Sequence, residues 1–184
     1  YPRSGHSLVG ALLDAHPEVV LAHELNVLQG MQRGLGMAEL GRFIRYNSAT
    51  FAHLGRKWSG YSYQVGGQYQ GSATRLKVVG DKHGAAVSRY LKMYPELLGQ
   101  LVQESDCPLV FLHVIRNPFD NIATWSRRNN CSLEEIIEAY FQMTETIEWL
   151  SKQVQPASFL TVHLEDFVSD PQAELVRLLQ GLGI

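Results

Sequence analysis

Tyr1-Pro2-Arg3-Ser4-Gly5-His6-Ser7 sets an arginine, two hydroxyls and a glycine just ahead of a run with helical spacing. A loop of small residues that opens a helix points several backbone N–H groups at one anion, and the helix dipole adds partial positive charge there. Gly5 permits the tight turn, Ser4 and Ser7 supply hydroxyl donors, and Arg3 supplies a planar cationic fork. The backbone N–H of His6 can serve as well. Two more cations stand where strands are predicted to end: Lys82, in Val79-Gly80-Asp81-Lys82-His83, and Arg116. In open parallel sheets, active-site groups gather at such strand ends. Two side chains there can accept a proton, Glu24 and His83. A desolvated carboxylate can acquire the raised pKa that general-base work favours, whereas histidine needs no such tuning.

Other chemistries are disfavoured. The chain lacks G-x-x-x-x-G-K-[S/T], which argues against an ordinary ATP or GTP hydrolase, and lacks G-x-G-x-x-G, which weakens a dinucleotide reading. His23-Glu24 is not followed by a histidine at the H-E-x-x-H position, so no metal is expected. Cys107 and Cys131 are too few for a disulfide framework and lack metal-ligand spacing.

The elements that must position these groups alternate. Leu8, Leu12 and Leu13 give a helix over 7–15, closed by Pro17. Residues 19–22, 76–79 and 109–115 are apolar runs predicted as buried strands, and 158–164 is a last one. Asn117-Pro118 opens a helix to about Arg128, and Ser132 with Glu135 forms a capping box. From there Leu133, Ile136, Ile137, Tyr140, Phe141, Ile147 and Leu150 form a stripe predicted to be core. Asp170-Pro171 starts a final helix with Leu175, Leu178, Leu179 and Leu182 inward. The pattern predicts an α/β three-layer fold with a mainly parallel central sheet flanked by helices. The region 25–75 is the least regular, and alternation around Gly66-Gly67 predicts a hairpin or lid.

Tyr-Pro-Arg-Ser-Gly-His-Ser, followed by Leu-Leu-Asp-Ala-His-Pro-Glu-Val, resembles the 5′-phosphosulfate loop and following helix of the PAPS-dependent sulfotransferases. The similarity is greatest to the branch with tyrosylprotein and carbohydrate sulfotransferases. His6 stands where that family usually has Thr or Ser. Val114-Ile115-Arg116-Asn117-Pro118 through Thr124 resembles the family's 3′-phosphate motif, which implies that Arg116 and Thr124 bind that phosphate. Leu164-Glu165-Asp166-Phe167 resembles its Tyr-Glu-Asp-Leu segment, with leucine for the tyrosine, and is read as structural. The resemblance implies a P-loop NTPase-like fold, PAPS as sulfate donor, charge neutralisation by Arg3 and Lys82, and a base at Glu24, in register with the family's catalytic glutamate. His83 remains the second candidate base.

The resemblance spans nearly the whole chain as a single domain, 1–184. It carries the expectation that the chain is a piece cut at its N-terminus, since the strand feeding the loop is missing. The C-terminus, without the family's glycine-rich segment, is a second candidate cut. Hydrophobic residues at 45%, charged residues at 18% and a net charge of −2 describe an ordinary globular chain with no overall field for nucleic acid. The longest mainly apolar stretch, 108–115, is far short of the roughly 20 residues of a membrane span. The expected acceptor is a small-molecule, carbohydrate or peptide hydroxyl, and the expected compartment is the cytoplasm. The rival readings are a non-catalytic nucleotide-binding relative and a P-loop nucleotide kinase.

Overall fold

Helices and short parallel strands alternate along the chain, as the periodicity predicts. The structure is a computed structural model and describes residues 1–184. It divides into two compact units, an N-proximal one (His6–His83 with Leu182–Ile184) and a C-proximal one (Gly84–Gly181 with Tyr1–Gly5).

In the N-proximal unit the order is α1 (His6–Leu13), β1 (Val19–His23), α2 (Val27–Gln32), α3 (Met37–His53), β2 (Lys57–Trp58), β3 (Tyr61–Ser62) and β4 (Val78–Lys82). β1 and β4 pair in parallel, with Val19 opposite Val78 and His23 opposite Lys82. Both strands therefore end side by side. Val19, Val20 and Ala22 are buried, and Val20 and Ala22 pack with Ile44 of α3. Asp14, just past the end of α1, is fully buried and ties the unit together. Its carboxylate accepts from Leu21 N–H (2.6 Å), Gly71 N–H (3.1 Å) and the Ser48 hydroxyl (3.0 Å), and pairs with Arg56. Gln70 adds a bond from its amide to Ala11 O (2.9 Å).

The C-proximal unit continues with α4 (Ala86–Met93), α5 (Glu96–Glu104), β5 (Phe111–Ile115), α6 (Pro118–Asn129), α7 (Leu133–Gln153), a 3-10 turn (Pro156–Ser158), β6 (Phe159–His163), α8 (Leu164–Ser169) and α9 (Pro171–Gly181). β5 and β6 are parallel, with Ile115 opposite His163. Trp125, Ile136 and Met143 form a core between α6 and α7. The predicted capping box is present: Glu135 N–H donates to Ser132 Oγ (3.2 Å) and Ser132 N–H to the Glu135 carboxylate (2.9 Å).

Several predicted details are corrected. The strand placed at 76–79 runs instead from Val78 to Lys82, because pairing with β1 extends it through Gly80-Asp81. The hairpin lies at 57–62 and turns at Ser59-Gly60, both with positive φ, rather than around Gly66-Gly67. The region 25–75 holds a 17-residue helix, α3. On α7 only part of the predicted stripe is core, for Leu133, Ile137 and Phe141 are exposed. Leu178 of α9 is buried as expected.

Candidate active site

The β1–β4 register builds the site in the N-proximal unit. It sets His23-Glu24 beside Lys82-His83, and Glu24 N–H donates to Lys82 O at 2.8 Å. Glu24 has a left-handed backbone, φ 58, as does Asn26 at φ 64. Non-glycine residues hold that conformation only where their surroundings impose it. Here Asp81 does so. Its carboxylate accepts from the N–H groups of Leu25 (3.1 Å), Asn26 (2.7 Å) and Val27 (3.1 Å). Burial pushes the Asp81 carboxyl up, against the lowering effect of those three donors.

Five predicted site residues meet on this frame. The Lys82 ammonium pairs with Glu24 Oε1, donates to Ser7 Oγ at 3.1 Å and lies 3.3 Å from His23 Nε2. His83 Nδ1 lies 3.1 Å from the other carboxylate oxygen of Glu24, and His6 Nε2 lies 3.9 Å from Oε1. Lys82 is 10% exposed and Glu24 19%. Burial lowers the Lys82 pKa, opposed by the bond to Glu24. Burial lowers that of His6 too, opposed by its bond to Glu24.

The carboxylate itself departs from expectation. Burial alone would raise the Glu24 pKa, but the hydrogen bonds from His6 and Lys82 and the charges of Lys82 and His83 hold it at about 2. The predicted upward tuning is therefore absent while Lys82 is in place. Glu24 is a paired anion here, not a poised base.

The rest of the predicted anion site lies in the C-proximal unit. Arg3 takes a left-handed backbone, φ 63. Ser4 is fully buried, and its hydroxyl donates to Tyr1 O at 2.9 Å. Gly5 has φ 89, and a Cβ there would stand 2.4 Å from Leu164 Cδ1, so a larger residue would force the Leu164 side chain to shift. The Asn121 amide donates to Pro2 O at 2.8 Å, and Tyr1 stacks on Tyr140 at 4.3 Å. These bonds fix residues 1–5 on α6 and α7. Arg116 follows β5, and its carboxylate neighbour is the exposed Asp120 at 3.8 Å. Thr124 is half-buried in the second turn of α6. Asn117 caps α6 by accepting from Phe119 N–H at 3.0 Å, and its own N–H donates to Glu165 at 2.8 Å. The structural reading of the Leu164–Phe167 segment agrees with both contacts.

His23 was missed by the sequence reading. Its ring stacks on Phe51 (4.1 Å, 22°), meets Trp58 edge-on (5.3 Å, 75°) and lies 6.3 Å from Tyr63. A parallel pairing of two strands that end in His-Glu and Lys-His was the available signal. A groove of about 440 Å³ in the same unit, lined by Arg42, Arg45, Tyr46 and Leu76 among others, holds none of the candidate residues. No group of three or more His, Cys, Asp and Glu side chains is placed to hold a metal ion. No helix is long and apolar enough to cross a membrane.

The whole chain superposes on 70% of the sulfotransferase domain from the Synechococcus PCC 7002 olefin synthase, with a TM-score of 0.64 and 20% identity. The fold is that of a sulfotransferase domain. That fold is P-loop-like, in agreement with the α/β class predicted from the alternation of elements. No family model matches the chain, and no curated protein matches it. The Ser7–Lys82–Glu24–His83 cluster brings a hydroxyl, an ammonium, a carboxylate and an imidazole within hydrogen-bond reach of one another. That is the equipment for moving a group between two oxygens.

Proposed function

We propose that this chain is a PAPS-dependent sulfotransferase acting on an acceptor hydroxyl by in-line transfer with a carboxylate general base. The observation that supports it most is the convergence of Ser7, Glu24, Lys82 and His83 at the ends of β1 and β4. PAPS, as substrate, would supply an activated sulfuryl group on a phosphate leaving group. As the acceptor oxygen bonds to sulfur, the sulfur–oxygen bond to the phosphate breaks and the acceptor's proton passes to the base. Lys82 would face the charge left on the departing oxygen, with Ser7 and the loop N–H groups holding the 5′-phosphate. Arg116 and Thr124 are the proposed 3′-phosphate ligands. Arg3 is a further proposed phosphate ligand through its planar cationic fork. The exposed rings of Trp58 and Tyr61 suit an acceptor that offers a flat face, such as a sugar or a phenol.

The low pKa of Glu24 fits this role in one way. An ammonium that turns to the leaving oxygen withdraws a hydrogen bond and a charge from Glu24, while burial stays. The carboxylate then gains basicity when the donor is engaged. A second reading has a specific observation in its favour. His83 Nδ1 at 3.1 Å from Glu24 forms a carboxylate–histidine pair, in which Glu24 would orient His83 as the base.

Transfer from labelled PAPS across pooled hydroxyl acceptors tests the proposal, beside thermal shift with adenosine 3′,5′-bisphosphate against ATP. Selective stabilisation by the bisphosphate, with turnover lost in Glu24→Gln and binding kept, is the expected result. Turnover lost in His83→Asn as fully as in Glu24→Gln favours His83 as the base oriented by Glu24, and turnover unchanged in Glu24→Gln overturns both assignments. Stabilisation by ATP alone overturns the donor assignment.

A further inference from the structure

Lys82 has three hydrogens to give and three acceptors around it: Ser7 Oγ at 3.1 Å, the Glu24 carboxylate, and His23 Nε2 at 3.3 Å. In the proposed function, which this inference rests on, Ser7 and Glu24 both have ligands of their own to meet. His23 has none. Its ring is instead fixed on several sides, stacked on Phe51, edge-on to Trp58 and near Tyr63. Its backbone is fixed too, with His23 N–H donating to Asn47 Oδ1 at 2.7 Å. Strand pairing sets His23 directly opposite Lys82, so the contact follows from register rather than from a flexible reach.

We propose that His23 is a positioning residue for Lys82, whose neutral ring accepts one ammonium hydrogen at Nε2 and so fixes where the other two point. An ammonium on a four-carbon stem otherwise spreads over many rotamers, and ordering it costs side-chain entropy. An acceptor already locked in an aromatic clamp supplies that order in advance. The arrangement requires the proton of the ring on Nδ1. It also requires the ring to stay neutral. Burial lowers the His23 pKa to about 4, with the Lys82 charge next, and Arg56 and His6 acting the same way against Glu24. At neutral pH the acceptor is present.

Two arms test this. In the first, His23→Leu and His23→Gln are compared in steady-state transfer, glutamine offering an oxygen in place of Nε2. Leucine is expected to lower kcat by about ten- to a hundred-fold with donor KM changed far less, as misplacement of a reacting group by about 1 Å does. Glutamine is expected to restore most of the loss. Equal impairment in both overturns the proposal. The second arm needs no activity and keeps residue 23 native. Nitrogen NMR of histidine-labelled protein should show His23 with Nδ1–H and a bare, hydrogen-bonded Nε2. In Lys82→Met the His23 pKa should rise, because a neighbouring positive charge has gone. A His23 titration identical in Lys82→Met and the parent overturns the proposal. Failure of all transfer with the NMR signature intact overturns the sulfotransferase reading and leaves the His23–Lys82 contact standing.

Discussion

Gly5→Ala separates two physical costs that the structure places on one carbon. At φ 89 an alanine pays for a left-handed backbone, about 1–2 kcal/mol. Its Cβ would also sit 2.4, 2.9 and 3.1 Å from Cδ1, Cδ2 and Cγ of Leu164. The leucine tip can swing aside, so the overpacking cost falls at the low end of its range, about 1–2 kcal/mol. The sum is about 2–4 kcal/mol. Leu164→Ala relieves only the second part. Urea unfolding of the parent, both single variants and the double variant gives a thermodynamic cycle. The double variant should be more stable than the sum of the single effects implies, by about 1–2 kcal/mol, with the backbone cost remaining. Strict additivity would show that Leu164 does not press on the loop. A Gly5→Ala cost below about 0.5 kcal/mol would refute the backbone argument as well.

Other perturbations have equally definite outcomes. Lys82→Met should raise the Glu24 pKa from about 2, seen by carbon NMR of the carboxylate, because a hydrogen bond and a charge are lost while burial remains. The depressed Glu24 pKa gives stability that is complete above the ordinary 4.5 and disappears as pH falls toward 2, and acid unfolding of Lys82→Met should show less of it. Arg56→Met leaves the Asp14 carboxylate buried without its cation and should cost about 3–5 kcal/mol in chemical denaturation. His113 lies between the rings of Tyr1 and Phe159 with a buried, unpartnered Nε2, and burial lowers its pKa to about 4. His113→Phe should stabilise the protein by about 1 kcal/mol and flatten the loss of stability as pH falls from 6.5 to about 4.

Much of this could be read from residue order. The strands at 19–22, 109–115 and 158–164 carry β-branched and aromatic runs that nothing in the fold overrides, and Ser132 with Glu135 caps its helix as written. Ser7 was legible from its place in the loop that opens α1, and Glu24 and Lys82 from their positions near predicted strand ends together with the family resemblance. α3 was not. Its buried positions Leu40, Ile44 and Ser48 put a hydroxyl where a third apolar residue would mark the stripe, while exposed Phe43 and Tyr46 blur it. β4 was placed too early because Gly80 and Asp81 read as a turn, and only the partner strand holds them extended. His23 and Asp81 escaped notice since their work is done on neighbours distant in sequence, Lys82 and the 25–27 backbone.

Asp81 and Lys82 are adjacent on a strand, so their side chains leave on opposite faces. One grips the turn that carries Glu24, and the other pairs with Glu24 itself. A single residue inserted into or deleted from β4 would exchange the two faces, turning a cation toward three backbone donors and a carboxylate toward Glu24. Length change is therefore less tolerable between 78 and 82 than in the loop before it, which supplies no side chain to the cluster.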